Sequence, residues 1–425
     1  MAMILFCGFI ILVILGFPIA FSLGISSLMC LLINGKIPLM LIAQRLYTGA
    51  DSFVLLCIPF FILAGEIMDS GGLSKGLLTF CNSVVGKVRG GLALVSILIS
   101  MIFAGITGAA AADSSAVGSI VIPTMIDEGY DRDFACAVTG AASTIGVIIP
   151  PSIPMVLYGS VTGVSVVALF LGGIIPGILI GVAQMVFAYY ISKKRGYPRH
   201  ESFSIKRVLE SLKTSVFALG MPFILIGGIL SGVFTPTEAG AVSVFYALIV
   251  AGFVYKTFSI KQFPKVLLNT VATTASIMLI VATASLYSWL ITYIGVPKAL
   301  GDFLLSTNLG KISILFSILI IYFLAGCIMD MGANIIMLTP IFYPIITKLG
   351  LNPIHFGIIT IVILSVGLLT PPVCICTFIV SAIGNVPVEK VARSMIPFMA
   401  CIVIVAILLI FIPELATFLP SLVGK

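Results

Sequence analysis

Four short stretches place helix-bending residues beside groups that could hold ions or acids: Thr107–Ser115, Gly146–Pro151, Cys327–Asn334 and Gly367–Val373. Each interrupts an apolar run. A helix that starts inside such a run presents unpaired N–H groups and partial positive charge, which suit a carboxylate. An unwound turn or a helix C-terminus presents carbonyl oxygens, which suit a hard cation such as Na⁺. On this basis a first cation falls to oxygens of Thr107, Gly146, Ile149 and Pro151, mainly main-chain carbonyls. A second falls to Ile328, Gly367, Thr370 and either Pro372 or its neighbour Val373, with Thr370 able to add a hydroxyl. The plainer alternative is that these glycines only let helices pack closely. Asp113, Ser114, Ser115 and Asn334 are the candidate substrate contacts. Asp113 is read as the cap of a half-helix, with support of an ion site as the alternative.

The two sets are related by an ungapped offset of 221 residues. Ala104-Gly105 matches Ala325-Gly326, Pro123 matches Pro344, Gly129 matches Gly350 and Gly146 matches Gly367. Pro150-Pro151 matches Pro371-Pro372, and Ser160, Gly163 and Pro176 match Ser381, Gly384 and Pro397. Gly and Pro are common in membrane helices, but one register through this many helix-breaking positions points to a true repeat. Polarity differs between the copies, since Asp113, Ser114 and Ser115 become Asn334, Ile335 and Ile336.

Each copy combines an apolar stretch interrupted at its middle (92–126 and 311–348) with a long run broken by a Pro-Pro pair (134–168 and 354–385). The interrupted stretch reads as a re-entrant hairpin, allowed at membrane depth only where its irregular backbone is buried or lines a water-filled cavity. The Pro pair removes two backbone donors and leaves a helix in two halves. The other spans predicted are 3–33, 52–69, 169–191, 214–232, 236–255, 266–293 and 394–413. Residues 70–90 suit an amphipathic helix in the interface.

Loop charges set the orientation. The 192–213 loop carries Lys193, Lys194, Arg195, Arg199, Lys206, Arg207 and Lys213, and a later loop carries Lys256, Lys261 and Lys265. Both belong on the cytoplasmic side. Counting spans from there puts the two hairpins on opposite sides, so the expected fold is an all-α polytopic membrane protein with inverted-topology repeats. Two ordinary pairs of short spans joined by polar turns are the alternative.

Composition supports the membrane reading. Of 425 residues, 60% are hydrophobic and 9% charged, far from the roughly 25% charged of soluble domains. The net charge of +7 sits in short loops and implies no nucleic acid. The nine cysteines lie almost entirely in apolar runs, and Cys374-x-Cys376, His200 and His355 lack the spacing of a metal cluster. The N-terminal run has no basic residue before Lys36, so it reads as a retained span and not a signal peptide. With no HExxH, no P-loop and no nucleophile–base pair, an enzyme is not expected, and neither is an organic cofactor. Glu238, after Thr235-Pro236-Thr237, reads as a structural helix-start acid. Lys298 and Asp302 read as a helix pair, and Trp289 with Tyr293 as an interfacial anchor.

The segments FAGITGAAAADSSAVGSIVIPTM, TIGVIIPPSIPMVLYG, SGVFTPTEAGAVSVFYALIV, FLAGCIMDMGANIIMLTPIFYPI and GLLTPPVCICTFI resemble the large membrane subunit of tripartite ATP-independent periplasmic (TRAP) transporters. The resemblance covers essentially the full chain and looks most like the N-acetylneuraminate (sialic acid) branch. It implies a sodium-driven elevator in the bacterial inner membrane, coupled to two or more Na⁺. It also implies a small membrane subunit, expected as a separate polypeptide, and a periplasmic binding protein that delivers a small organic acid. A stand-alone anion transporter and TRAP uptake of a C4-dicarboxylate are the alternatives. The domains expected are scaffold helices of the first repeat at 1–91, transport-domain hairpin and broken helix at 92–168, and scaffold and linkers at 169–310. The second transport-domain unit follows at 311–385 and a C-terminal scaffold helix at 386–425.

Overall fold

The computed structural model describes residues 1–35, 37–85, 88–198, 205–306 and 310–423. Lys36, Lys87, Arg199 and His200 lie outside them, as do the side chains of Lys75, Lys206 and Arg207. Every regular element among the described residues is helical. Six helices are long and apolar enough to cross a membrane: Phe53–Ser70, Val166–Arg195, Pro236–Val254, Phe263–Ile294, Lys311–Ile328 and Val388–Phe411. The chain is a multi-pass inner-membrane protein.

The interruptions fall where the sequence puts them. Gly91–Thr107 and Ala110–Asp127 are separated by Gly108, which has φ +65°, and Ala109. Lys311–Ile328 and Met331–Lys348 are separated by Met329 and Asp330. The Pro-Pro runs split into Arg132–Ser143 and Ile153–Thr162, and into Pro353–Gly367 and Ile375–Gly384. A 3₁₀ turn at Thr144–Val147 precedes the first Pro pair, and both pairs contain a cis peptide bond.

Elsewhere the structure corrects the reading. The expected span 3–33 is two helices, Ala2–Ile14 and Ile19–Asn34, packed on each other. Gly16, at φ +84°, reverses the chain, and Pro18 disfavours helix at Phe17. The span 169–191 is longer, running from Val166 to Arg195, with Lys193, Lys194 and Arg195 in its last turn, where cations complement the helix dipole. Met40–Ala50 and Glu414–Leu422 are helices where none is expected from sequence, and Val296–Ser306 is the helix that carries Lys298 and Asp302.

Contacts divide the helices into two groups. Phe263–Ile294 packs against Ile19–Asn34, Met40–Ala50 and Cys57–Ser70, while Cys57–Ser70 also packs on Pro236–Ile249. The interrupted pairs and broken helices pack with Val166–Arg195, Val388–Phe411 and Glu414–Leu422. Met331–Lys348 reaches across to Phe263–Ile294. Tyr158, at 0% exposure, ties the two broken helices together by donating its phenol to the Pro353 carbonyl at 2.9 Å. At the end of Val166–Arg195, Asp131 accepts from Arg195 Nη1 and from the Tyr197 hydroxyl, each at 2.7 Å. Tyr197 stacks 4.5 Å from Tyr130, fixing the chain where it leaves the long helix.

Candidate ion and substrate sites

Ala110–Asp127, Ile153–Thr162, Met331–Lys348 and Ile375–Gly384 all start inside the protein because Gly108, the two Pro pairs and Asp330 interrupt the runs that precede them. Their first turns meet at one cavity of about 260 Å³. Ala109–Ala111, Ile153-Pro154, Asp330–Gly332 and Ile375-Cys376 line it, with Thr273 and Ile277 of Phe263–Ile294 on the facing wall. Among the described residues no Lys or Arg lines the cavity, and the positive potential that these residues give it comes from backbone N–H groups and helix dipoles. Two of the four starts are capped. Ser152 Oγ accepts from the Met155 N–H at 3.3 Å, and Asp330 Oδ2 accepts from the Gly332 N–H at 2.9 Å. The helices beginning at Ala110 and Ile375 have no side-chain cap.

A second cavity of about 250 Å³ shares Ala109, Ala111, Ile153, Thr273 and Ile277 with the first. It is lined further by Glu66, Asp69, Phe103, Thr107 and Ser115. Asn269 Nδ2 donates to Glu66 Oε2 at 3.3 Å.

Behind the first tip, the structure brings several expected residues together. Asp113 is fully buried, and its Oδ1 accepts a long bond of 3.4 Å from Thr107 Oγ1. Its Oδ2 has no hydrogen-bond partner and points at Gly146, where an added Cβ would stand 3.0 Å from it. Asp113 makes no cap, because the helix beginning at Ala110 shows none. A buried carboxyl oxygen left without a donor is costly unless a proton, a cation or a water meets it. The Pro151 carbonyl joins this region, since a Cβ on Gly108 would lie 2.6 Å from it, and Ile153 N–H bonds the Gly108 carbonyl at 3.3 Å. Ile149 packs its side chain against Gly177 and offers only its main chain.

The second copy differs. Asn334 is buried, and its Nδ2 donates to the carbonyls of Ala325, Met329 and Asp330 at 3.2, 3.0 and 3.1 Å. It closes its own tip and does not line the central cavity. Its Oδ1 is buried without a partner, as Asp113 Oδ2 is. Gly367 lies against Gly326, whose carbonyl oxygen would be 2.3 Å from an added Cβ. The Thr370 hydroxyl donates to the Val366 carbonyl at 2.9 Å, and the Val373 N–H reaches the Cys327 carbonyl at 3.4 Å. The side chain of Ile328 is 54% exposed, so only its carbonyl can serve. Pro150 and Pro151 are buried while Pro371 and Pro372 are exposed.

Of the four candidate substrate contacts, only Ser115 lines either cavity. Ser114 is buried behind the tip, 2.6 Å from the Ser143 hydroxyl. Ala109–Ala111 line the cavity from within the tip Thr107–Ser115, though no role was assigned to them individually, and Thr273 lies outside every stretch singled out from the sequence. The four helix starts were a usable signal for the first three, and a threonine in the middle of an apolar helix was one for Thr273. Glu238 is the structural acid expected, forming a reciprocal capping box with Thr235. Lys298 and Asp302 form no ion pair. Trp289 and Tyr293 stack at 5.2 Å.

An all-helical membrane protein whose interrupted helices converge on a central cavity is built as a secondary transporter. The chain belongs to the family described as "Tripartite ATP-independent periplasmic transporter, DctM component", whose model matches residues 6–415. These are transporter permeases coupled to ion gradients, and not enzymes. Among the described residues no group of three or more His, Cys, Asp or Glu could hold a metal ion.

The chain is 37% identical to the isethionate TRAP transporter permease protein DctMQ of Oleidesulfovibrio alaskensis, over 98% of this chain but 66% of that protein. It is 37% identical to the sialic acid TRAP transporter large permease protein SiaM of Vibrio cholerae, over 98% of this chain and 97% of that one. It is 36% identical to the C4-dicarboxylate TRAP transporter large permease protein DctM of Pseudomonas aeruginosa, over 95% and 94%. The fold is shared with the crystal structure of the Alcanivorax borkumensis YdaH transporter, at TM-score 0.63, 14% identity and coverage of 88% and 87%.

Proposed function

We propose that this chain is the sodium-coupled permease of a tripartite importer for a small organic acid, with a C4-dicarboxylate as the leading substrate. The observation that carries the reading is the convergence of four helix N-termini on one cavity without a basic side chain among the described residues. Two uncapped starts, at Ala110 and Ile375, come from opposite repeats and match two carboxylates. N-Acetylneuraminate carries many hydroxyls that need partners, whereas among the described residues Thr273 and Asp330 are the only hydroxyl or carboxylate side chains on this cavity. The relatives named above transport a sulfonate, a sugar acid and a dicarboxylate at nearly equal identity, so what supports the class is the shared acid group.

The coupling ion is Na⁺. Asp113, Thr107 and the carbonyls of Gly146, Ile149 and Pro151 hold one ion; Asn334 Oδ1 and the carbonyls around Ile328, Gly367, Thr370 and Val373 hold another. The two copies lie inverted in the membrane, and an elevator motion carries the interrupted helices past the rest. The packing supports a division in which Val166–Arg195 and Val388–Phe411 move with the transport unit, in place of the scaffold roles expected from sequence. The other components are a small membrane subunit and a periplasmic binding protein.

The test is uptake into liposomes holding this chain and the small subunit. Uptake of a labelled C4-dicarboxylate should require both the binding protein and an inward sodium gradient. Uptake that ignores a sodium ionophore would overturn the coupling ion. Uptake without the binding protein would favour a stand-alone transporter.

A further inference from the structure

An apolar groove of about 250 Å³ runs over Phe263–Ile294 between Ile19–Asn34 and Met40–Ala50. Ala20, Gly24 and Leu28 form one wall, Ile42 the other, and Leu279 and Leu286 the floor. The groove lies on a different face of Phe263–Ile294 from the central cavity, which Ile277, Ile280 and Val281 line. It ends where the Arg45 guanidinium lies 5.1 Å from the ring of Trp289, which in turn stacks on Tyr293. No carboxylate among the described residues lies within ion-pair distance of Arg45.

Depth decides what fits. From Leu279 to Trp289 the helix rises about 15 Å at roughly 1.5 Å per residue, which is half of a hydrocarbon core about 30 Å thick. Trp and Tyr at the upper end mark the headgroup level. The groove is therefore one leaflet deep. A transmembrane helix of another subunit would cross both leaflets, and a groove that stops at the midplane does not match it. The basic residues Lys256, Lys261 and Lys265 precede the other end of this helix, so the groove faces the periplasmic leaflet.

We propose that this groove binds one glycerophospholipid of the periplasmic leaflet, with an acyl chain along Gly24, Leu279 and Leu286 and the phosphate on Arg45. The guanidinium keeps N–H donors for a phosphate while its face rests on Trp289. Met40–Ala50 runs along Phe263–Ile294, with Arg45 over Trp289 and Gly49 against Ser285, so it flanks the bound chain while Met40 and Tyr47 stay exposed.

Native mass spectrometry of the full chain, purified in detergent and titrated with phosphatidylglycerol, tests this. One lipid adduct per chain should form. Gly24→Leu, which fills the groove, should abolish it, and Arg45→Ala should weaken it about fivefold, as loss of one basic contact near a membrane surface does. Ala20→Leu blocks the same wall if Gly24→Leu fails to fold. Equal adducts in the wild type, Arg45→Ala and Ala20→Leu would overturn the proposal. So would a cross-link from position 24 to the small subunit that excludes the lipid.

Discussion

The matching glycines at 146 and 367 should fail in different ways when each becomes alanine. Gly146 has no positive φ, so alanine strains no backbone there. Its Cβ would lie 3.0 Å from Asp113 Oδ2 and 3.4 Å from its Cγ, and the carboxylate must retreat by a few tenths of an ångström. For a hard cation held at about 2.4 Å, retreat to about 2.8 Å lowers the attraction from roughly 7 to roughly 6 kcal/mol at an effective dielectric of 20. A loss of about 1 kcal/mol is roughly a fivefold rise in the sodium concentration for half-maximal uptake. At Gly367 the Cβ would lie 2.3 Å from the Gly326 carbonyl oxygen and 2.5 Å from its carbon, and backbone cannot swing aside. Overpacking of that kind costs about 1–3 kcal/mol or more, so Gly367→Ala should lower the melting temperature and yield. The assays are sodium-dependent uptake in liposomes with saturating binding protein, and thermal unfolding in detergent. A folded Gly146→Ala protein with wild-type sodium dependence would refute the placement of a cation beside Asp113.

Three further outcomes are expected. The Tyr197 hydroxyl and then Arg195 hold the Asp131 carboxyl below its ordinary value. Its stabilisation is therefore present above about pH 4 and lost as pH falls through the lowered value. The Arg195–Asp131 pair is half-exposed, so Asp131→Asn should cost under about 1 kcal/mol at pH 7 and less at pH 3.5; an equal cost at both would exclude the charge as the cause. Tyr158→Phe, which removes the second donor to the Pro353 carbonyl and the tie between the broken helices, should lower stability by about 0.5–1.5 kcal/mol without changing sodium dependence; no change in melting temperature would show the bond to be idle. With the nine native cysteines replaced, single cysteines at 127 and 351 should label from opposite membrane faces, and labelling from one face would end the inverted-repeat reading.

The interruptions were legible because their causes are local. Gly108, the Pro pairs and Asp330 stand where helices stop and restart, and the common register of such positions exposed the repeat. The split at Gly16–Pro18 carried the same kind of signal, but continuous hydrophobicity from Met3 to Ile33 masked it. Packing partners were not legible. Val166–Arg195 is apolar on most of its surface, so its sequence does not say whether lipid, scaffold or the interrupted helices cover it. Pairings between distant hydroxyls, such as Ser114 with Ser143 or Ser96 with Thr139, likewise need the fold before they can be seen.

The case of Asn334 shows why residue type alone misassigned a contact. A polar side chain at a hairpin tip inside an apolar protein invites a ligand, yet the tip itself has a prior claim. At the end of Lys311–Ile328 the Met329 carbonyl lies beyond the helix, and the Asn334 amide donates to it and adds a second donor to the Ala325 carbonyl, which the Met329 N–H already meets. Aspartate at the matching position cannot do this, because an ionised carboxylate has no hydrogen to give. Asp113 therefore turns its free oxygen toward Gly146. The exchange of Asp for Asn across the repeat leaves one tip closed by its own amide and the other with a buried carboxyl oxygen that no donor meets. Under the function proposed above, the two sodium sites of these similar halves therefore differ in their buried side chains, a carboxyl in one and an amide in the other.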